Sequence, residues 1–204
     1  MIFDLSEGSV DKLVFEMWRD LPNLTDEMIA QKVSGREGVL FRRPFTTKGP
    51  ACFMDWEESF GNYPSHLGSF LFLGIENIIQ HVMKRTLFIS SVDETSIRKS
   101  LILADSYQGR VSVYILDSGP GFVDSEGRVV LKEAFLSGKR IGSHGENGLG
   151  FSWLIADAPE MYAFSMGQAI HKPRGGNLDD VKQIEYPFGG VVPKGALICG
   201  RFYR

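Results

Sequence analysis

Apolar positions recur at helical spacing just after Ser9. Val10, Leu13, Val14, Met17 and Leu21 share one face, and Pro22 ends the run. Thr25 is placed to cap a second, shorter helix with Asp26 and Glu27 in its first turn and Gly35 beyond its end. Residues 38 to 43 hold a short apolar run that predicts a strand. Residues 44 to 64, rich in Pro, Gly and aromatics, are read mainly as connection. A long helix is predicted from Pro64-Ser65 to about Arg85, with Leu71, Ile75, Ile78 and Val82 facing a core. Gly68 and Gly74 each weaken that helix by about 1 kcal/mol relative to Ala, so a close neighbour such as a strand or a ligand is expected there.

The pattern then changes period. Strands are predicted at Leu87 to Val92, Leu101 to Ser106 and Val111 to Leu116, with Gln108-Gly109 as the turn between the last two. Val111, Val113 and Ile115 alternate onto one face, and the strand delivers Asp117 to its end. A short helix is expected from Leu149 to Ala158, a strand at Met161 to Met166, a long excursion over 167 to 190, and a final strand at Leu197 to Tyr203. Helices grouped between hairpin strands favour an α+β fold, a two-layer α/β sandwich with a mixed, mostly antiparallel sheet covered on one face by helices. Trp18, Trp56 and Trp153 are read as core.

Composition adds limits. The chain has 204 residues, 43% hydrophobic and 23% charged, with a net charge of −3. These values suit a globular chain with a sizeable core and give no basic field for nucleic acid. No apolar run is long enough for a membrane span, and the start lacks a basic region followed by an apolar one. Cys52 and Cys199 lack metal-ligand spacing and point to a reduced, cytoplasmic setting.

Three motifs carry candidate chemistry, in a fixed order. Glu76-Asn77-Ile78-Ile79-Gln80-His81 lies on the long helix. Asp117-Ser118-Gly119-Pro120-Gly121-Phe122 follows a strand. Gly145-Glu146-Asn147-Gly148-Leu149-Gly150-Phe151 enters a helix. The amide oxygen of Asn77 is a hard ligand of the kind magnesium accepts beside phosphates and water. Asn77 and His81, four apart, project from one side of the helix. Glycines let backbone bend under a flat ligand without Cβ clashes, and exposed N–H groups at a helix start favour phosphate.

With these motifs, the chain resembles the GHKL, or Bergerat-fold, ATPase superfamily over residues 65 to 204, and is most similar to histidine-kinase-type ATP-binding domains. Residues 1 to 64 lie outside the resemblance and are read as an N-terminal extension, packed on the domain or serving as a dimer arm. The resemblance implies ATP and Mg²⁺ as cofactors. It implies that Asp117 reads the adenine amino group, that Gly119, Gly121 and Phe122 shape the base pocket, and that Asn77 is the metal ligand. Gly145, Gly148, Leu149 and Gly150, with Lys139 on a lid beginning near Ala134, would hold the phosphates. Arg140 and His144 are further lid candidates. Glu76 and His81 are the candidate catalytic groups; a solvated helix acid and a structural imidazole are the plainer readings of the same residues.

Two departures bear on activity. Topoisomerase and anti-sigma relatives carry a Glu four residues before the Asn, which polarises the attacking water or hydroxyl, where this chain has Leu73. Glu76 points about 100° away from Asn77 and does not replace that acid. Gly195-Ala196 stands where many relatives have Gly-Thr. No histidine precedes His66, so either a phosphoacceptor is expected on a protein partner in trans, or the chain is an excised or specialised domain. The implied function is phosphoryl transfer in signalling, with a non-catalytic nucleotide-dependent switch or interaction module as the alternative.

Overall fold

The protein is described by a computed structural model. It describes residues 3–36, 39–42, 45–46, 49–50, 66–77, 99–123, 126, 128–129, 131 and 158–203. At 39–42, 45–46, 49–50, 66, 72–73 and 75–77, only the backbone is described.

Helix α1 spans Val10–Asp20, and the Ser9 hydroxyl accepts from Lys12 N at 3.1 Å. Such a cap satisfies a donor that the first helical turn leaves without a partner. Helix α2, Asp26–Val33, is capped in the same way by Thr25, which accepts from Met28 N at 3.3 Å. Both caps and both helices match the apolar pattern. Strand β1 is Val39–Arg42. A small hairpin, β2 (Phe45–Thr46) with β3 (Gly49–Pro50), lies within the stretch expected to be connection. Helix α3, His66–Asn77, begins where the pattern placed it; its continuation toward Arg85 falls outside the described residues.

Strands β4 (Ser100–Tyr107) and β5 (Arg110–Asp117) form a hairpin through Gln108-Gly109, at φ +48° and +75°. Two consecutive left-handed residues match the twist of the flanking strands. Strands β6 (Glu160–Ser165) and β7 (Gln168–Lys172) repeat this through Met166-Gly167, at φ +50° and +80°. β8 is Lys182–Ile184 and β9 is Ala196–Tyr203. The expected excursion over 167 to 190 therefore needs correction, since it contains β7 and β8. Gly, Pro and charge at 173–180 hid a five-residue strand ahead of them. The strands expected at 87–92 and the helix at 149–158 lie outside the described residues, save Ala158.

The sheet has the order β1-β4-β5-β9-β6-β7-β8, and every neighbouring pair in it is antiparallel. With its helices it is the expected α+β sandwich, corrected in two respects: the described sheet is antiparallel throughout rather than mixed, and helices cover both of its faces rather than one. On β5, Val111, Val113 and Ile115 join Ile102, Ala104, Ile198 and Phe202 beneath Leu67, Phe70 and Leu71 of α3. Glycines let α3 approach closely. A Cβ on Gly200 would sit 2.6 Å from the Phe70 ring, and one on Gly74 would sit 2.1 Å from Ile115 Cδ1. The neighbour expected at Gly74 is thus a strand side chain, whereas Gly68 faces nothing within 4 Å.

The alternate residues of the same strands point the other way. Leu101, Leu103, Tyr114, Leu116, Phe164, Leu197 and Cys199 pack under Leu13, Val14, Met17 and Trp18 of α1 and Ile29 of α2. Each such large apolar side chain contributes about 1.5–3 kcal/mol when buried. The N-terminal helices thus add a further layer on the face opposite α3, and β1 belongs to the same sheet as the later strands. Among the described residues, no helix is long and apolar enough to cross a membrane.

Candidate functional site

Asp117 ends β5, with Ser100 of β4 opposite on one side and Ala196 of β9 on the other. Its Oδ1 accepts from Gly119 N at 2.8 Å, a local turn that fixes the carboxylate against its own backbone. Ser118 is bound to Lys99 in both directions: Ser118 N donates to Lys99 O at 2.9 Å, and Lys99 N donates to Ser118 Oγ at 2.8 Å. The chain leaving the strand is therefore held at each residue in turn.

Two glycines permit the corner. Gly195 has φ +87°, and a Cβ there would lie 2.0 Å from Asp117 O and 2.7 Å from Asp117 Oδ1. Gly121 has φ +73°, and its Cβ would lie 2.5 Å from Ser165 Oγ. Any side chain would push Asp117 out of place at the first position and combine steric overlap with a strained backbone at both. Ser165, the last residue of β6, links the two loops. Its hydroxyl accepts from Phe122 N at 3.0 Å and donates to Gly195 O at 3.0 Å. Phe122 packs, partly buried, against the core on the α3 side.

The predicted residues Asp117, Gly119, Gly121 and Phe122 thus lie together on one loop. Gly195, already singled out with Ala196 in the sequence, joins them, and the structure adds Ser165 and Trp18, whose indole Nε1 donates to Asp117 O at 3.2 Å. Ser165 and Trp18 carry no local signal, because their partners lie 30 or more residues away.

Glu76 and Asn77 are placed through their backbone at the end of α3. Phe70 lies over Gly200, which is paired with Val113, and Gly74 lies over Ile115. α3 therefore runs alongside β5 in the same direction. Three more helical residues advance about 4.5 Å, a little over one strand residue. The backbone of Asn77 is thereby carried toward the level of Asp117. His81, Lys139, Arg140, His144, Gly145, Gly148, Leu149 and Gly150 fall outside the described residues. Among the described residues, no group of three or more His, Cys, Asp or Glu side chains is gathered as a metal cage.

Fold and corner together define an α+β sandwich with an acid fixed at a strand end between glycines. No family model and no curated protein matches the sequence. Among solved structures, the chain is similar to the ATP-binding domain of topoisomerase IV from Francisella tularensis, in complex with a small-molecule inhibitor. That likeness has 16% identity and a TM-score of 0.31, over 81% of this chain and 74% of that one.

Proposed function

We propose that this chain binds ATP at the end of β5 and transfers its terminal phosphoryl group to a protein acceptor in trans. The observation that carries the reading is Asp117. A carboxylate is held at a strand end by Gly119 N, with Gly121 and Gly195 packed where no Cβ fits. An acceptor at that place suits the amino group of adenine and disfavours guanine, which has a carbonyl there. The order of the three motifs supports a nucleotide, and the run of α3 beside β5 supports Asn77 as a second contact.

An amide oxygen from Asn77 has the chemistry of a magnesium ligand where phosphates and water complete the shell. Bound magnesium would neutralise charge on the phosphates. The chain's own part is positioning, which accounts for most of phosphoryl-transfer catalysis. Gly145 to Gly150 and Lys139 would bind phosphate, and Glu76 and His81 would serve near the acceptor.

Calorimetric titration with a non-hydrolysable adenine nucleotide tests the reading. Asp117→Asn turns part of the acceptor into a donor and is expected to weaken binding about ten- to a hundredfold, the loss of a hydrogen bond to a charged group. An unchanged dissociation constant contradicts the assignment. Leu73, in place of an acid, favours a second reading, a nucleotide-ordered switch. Label transfer from γ-labelled ATP to this chain or a partner supports the kinase. Binding with neither transfer nor phosphate release supports the switch.

A further inference from the structure

The N-terminal helices reach the Asp117 corner from the face opposite α3. Trp18, on the last turn of α1, is buried to 1% exposure, and its Nε1 donates to Asp117 O at 3.2 Å. Just past α1, Leu24 O accepts from Lys99 Nζ at 2.9 Å, and Lys99 is the residue that holds Ser118 through its backbone. One seven-residue stretch, residues 18 to 24, thus contacts the end of β5 and the residue leading into β4. The other end of α1 is anchored away from the site. There Asp11 accepts from Arg201 Nη2 at 2.8 Å and from Tyr114 OH at 2.6 Å. α1 therefore runs from an ion pair on β9 to the carbonyl of the candidate adenine-reading residue.

We infer that the two N-terminal helices regulate the Asp117 site. Trp18 and Lys99 are positioning residues that couple the docking of residues 3–33 on the sheet to the site's affinity for nucleotide. The inference rests on the nucleotide reading of Asp117. A buried indole N–H needs a partner, and here that partner is the backbone of the site residue itself. A rigid Asp117 carbonyl fixes the 117–118 peptide, directly ahead of the peptide whose Gly119 N–H reaches back to the carboxylate. Undocking α1 releases that peptide. Linkage is reciprocal, so nucleotide that prefers the ordered corner must also tighten α1 on the sheet. Anything that draws the N-terminal helices away would lower affinity without touching the ligand.

The test uses the intact chain in three forms: wild type, Trp18→Phe and Phe15→Leu. Trp18→Phe keeps an aromatic ring and removes the donor. Phe15 lies on the same helix and stacks on Phe188 at 4.0 Å, so Phe15→Leu trims one ring contact, keeps an apolar side chain there and is expected to leave α1 docked with the indole bond in place. Amide exchange without nucleotide is expected to rise about three- to tenfold at Ser118 and Gly119 in Trp18→Phe, the scale of one hydrogen bond. The dissociation constant for a non-hydrolysable ATP analogue is expected to rise by a similar factor. Phe15→Leu is expected to change both by less than twofold. In wild type, the analogue is expected to slow exchange of the α1 amides at least threefold, which needs no variant to fold.

Equal effects of the two substitutions would reduce Trp18 to ordinary packing and overturn the inference. So would unchanged corner exchange in Trp18→Phe, or α1 exchange that ignores the nucleotide. A wild-type chain that binds no analogue overturns the nucleotide reading itself, and the coupling with it. A chain that binds it as tightly with Trp18→Phe overturns the coupling alone.

Discussion

On the α3 face of the sheet, contact is apolar and close. Phe70 lies against Gly200 and meets Phe202 edge-on at 5.4 Å, and Gly74 admits Ile115. On the α1 face, a charged group is buried among rings. Arg201 reaches Asp11 at 2.8 Å and Glu160 at 3.6 Å, with its guanidinium 4.7 Å from the Tyr162 ring centre. The two faces share strands and differ in how they specify a partner. Apolar burial is large and non-directional, so it favours a packed helix more than one fixed position. A buried ion pair costs desolvation and fits at one register only. On our reading, that pair seats α1 so that Trp18 arrives at Asp117.

The sharpest way to break this contrast is to remove one charge. Arg201→Met leaves the Asp11 carboxylate buried with Tyr114 and is expected to cost about 3–5 kcal/mol in urea unfolding. Adding Asp11→Leu is expected to regain most of that loss, because the uncompensated charge is then gone. A single-variant cost below about 1 kcal/mol would mean that the pair is solvated and places nothing.

The α3 face answers to size. Gly200→Ala puts a Cβ 2.6–3.0 Å from three atoms of the Phe70 ring, which is fully buried and has little room to swing. Overpacking of this kind is expected to cost up to about 3 kcal/mol, read as a lower urea midpoint at unchanged slope. If Gly200→Ala is neutral, α3 is loosely held and the two faces differ less than their contacts imply.

How much of this the sequence made legible follows from the range of each interaction. Ser9, Thr25 and the apolar stripe of α1 are local signals, and the helices they predict are observed. The alternation of β5 is local as well, and Asp117 falls at its end as expected. β7 was hidden because a Met-Gly turn and a following Pro-Arg-Gly-Gly stretch read as loop chemistry, while the strand's pairing to β6 is what stabilises it. The layer on the second face was hidden for a different reason. A strand buried on both sides shows the same apolar residues whichever element covers it, and the Asp11–Arg201 contact spans 190 residues. At the site, the residues on one loop and the Gly195-Ala196 pair that opens β9 were readable, but Ser165 from β6 and Trp18 from α1 were not.

The polar face also predicts a response to acid that the apolar face lacks. Burial works against ionisation of Glu160. His171 Nε2 at 3.4 Å, the hydroxyls of Tyr162 and Tyr203, and the charge of Arg201 outweigh it and hold the pKa near about 2, below the ordinary 4.5. A carboxyl whose pKa is lowered by folding binds its proton more readily in the unfolded chain. The stabilisation it gives is complete above pH 4.5 and is lost as pH falls through about 2. The shift corresponds to roughly 3 kcal/mol before solvent screening, which lowers it. Urea midpoints measured from pH 5 down to 2 should therefore fall more steeply for wild type than for Glu160→Gln, which has no proton to gain at 160. Parallel profiles would show that the carboxylate is not held by its ring of donors, and would leave Asp11 and Arg201 as the whole of the ionic anchor beneath α1.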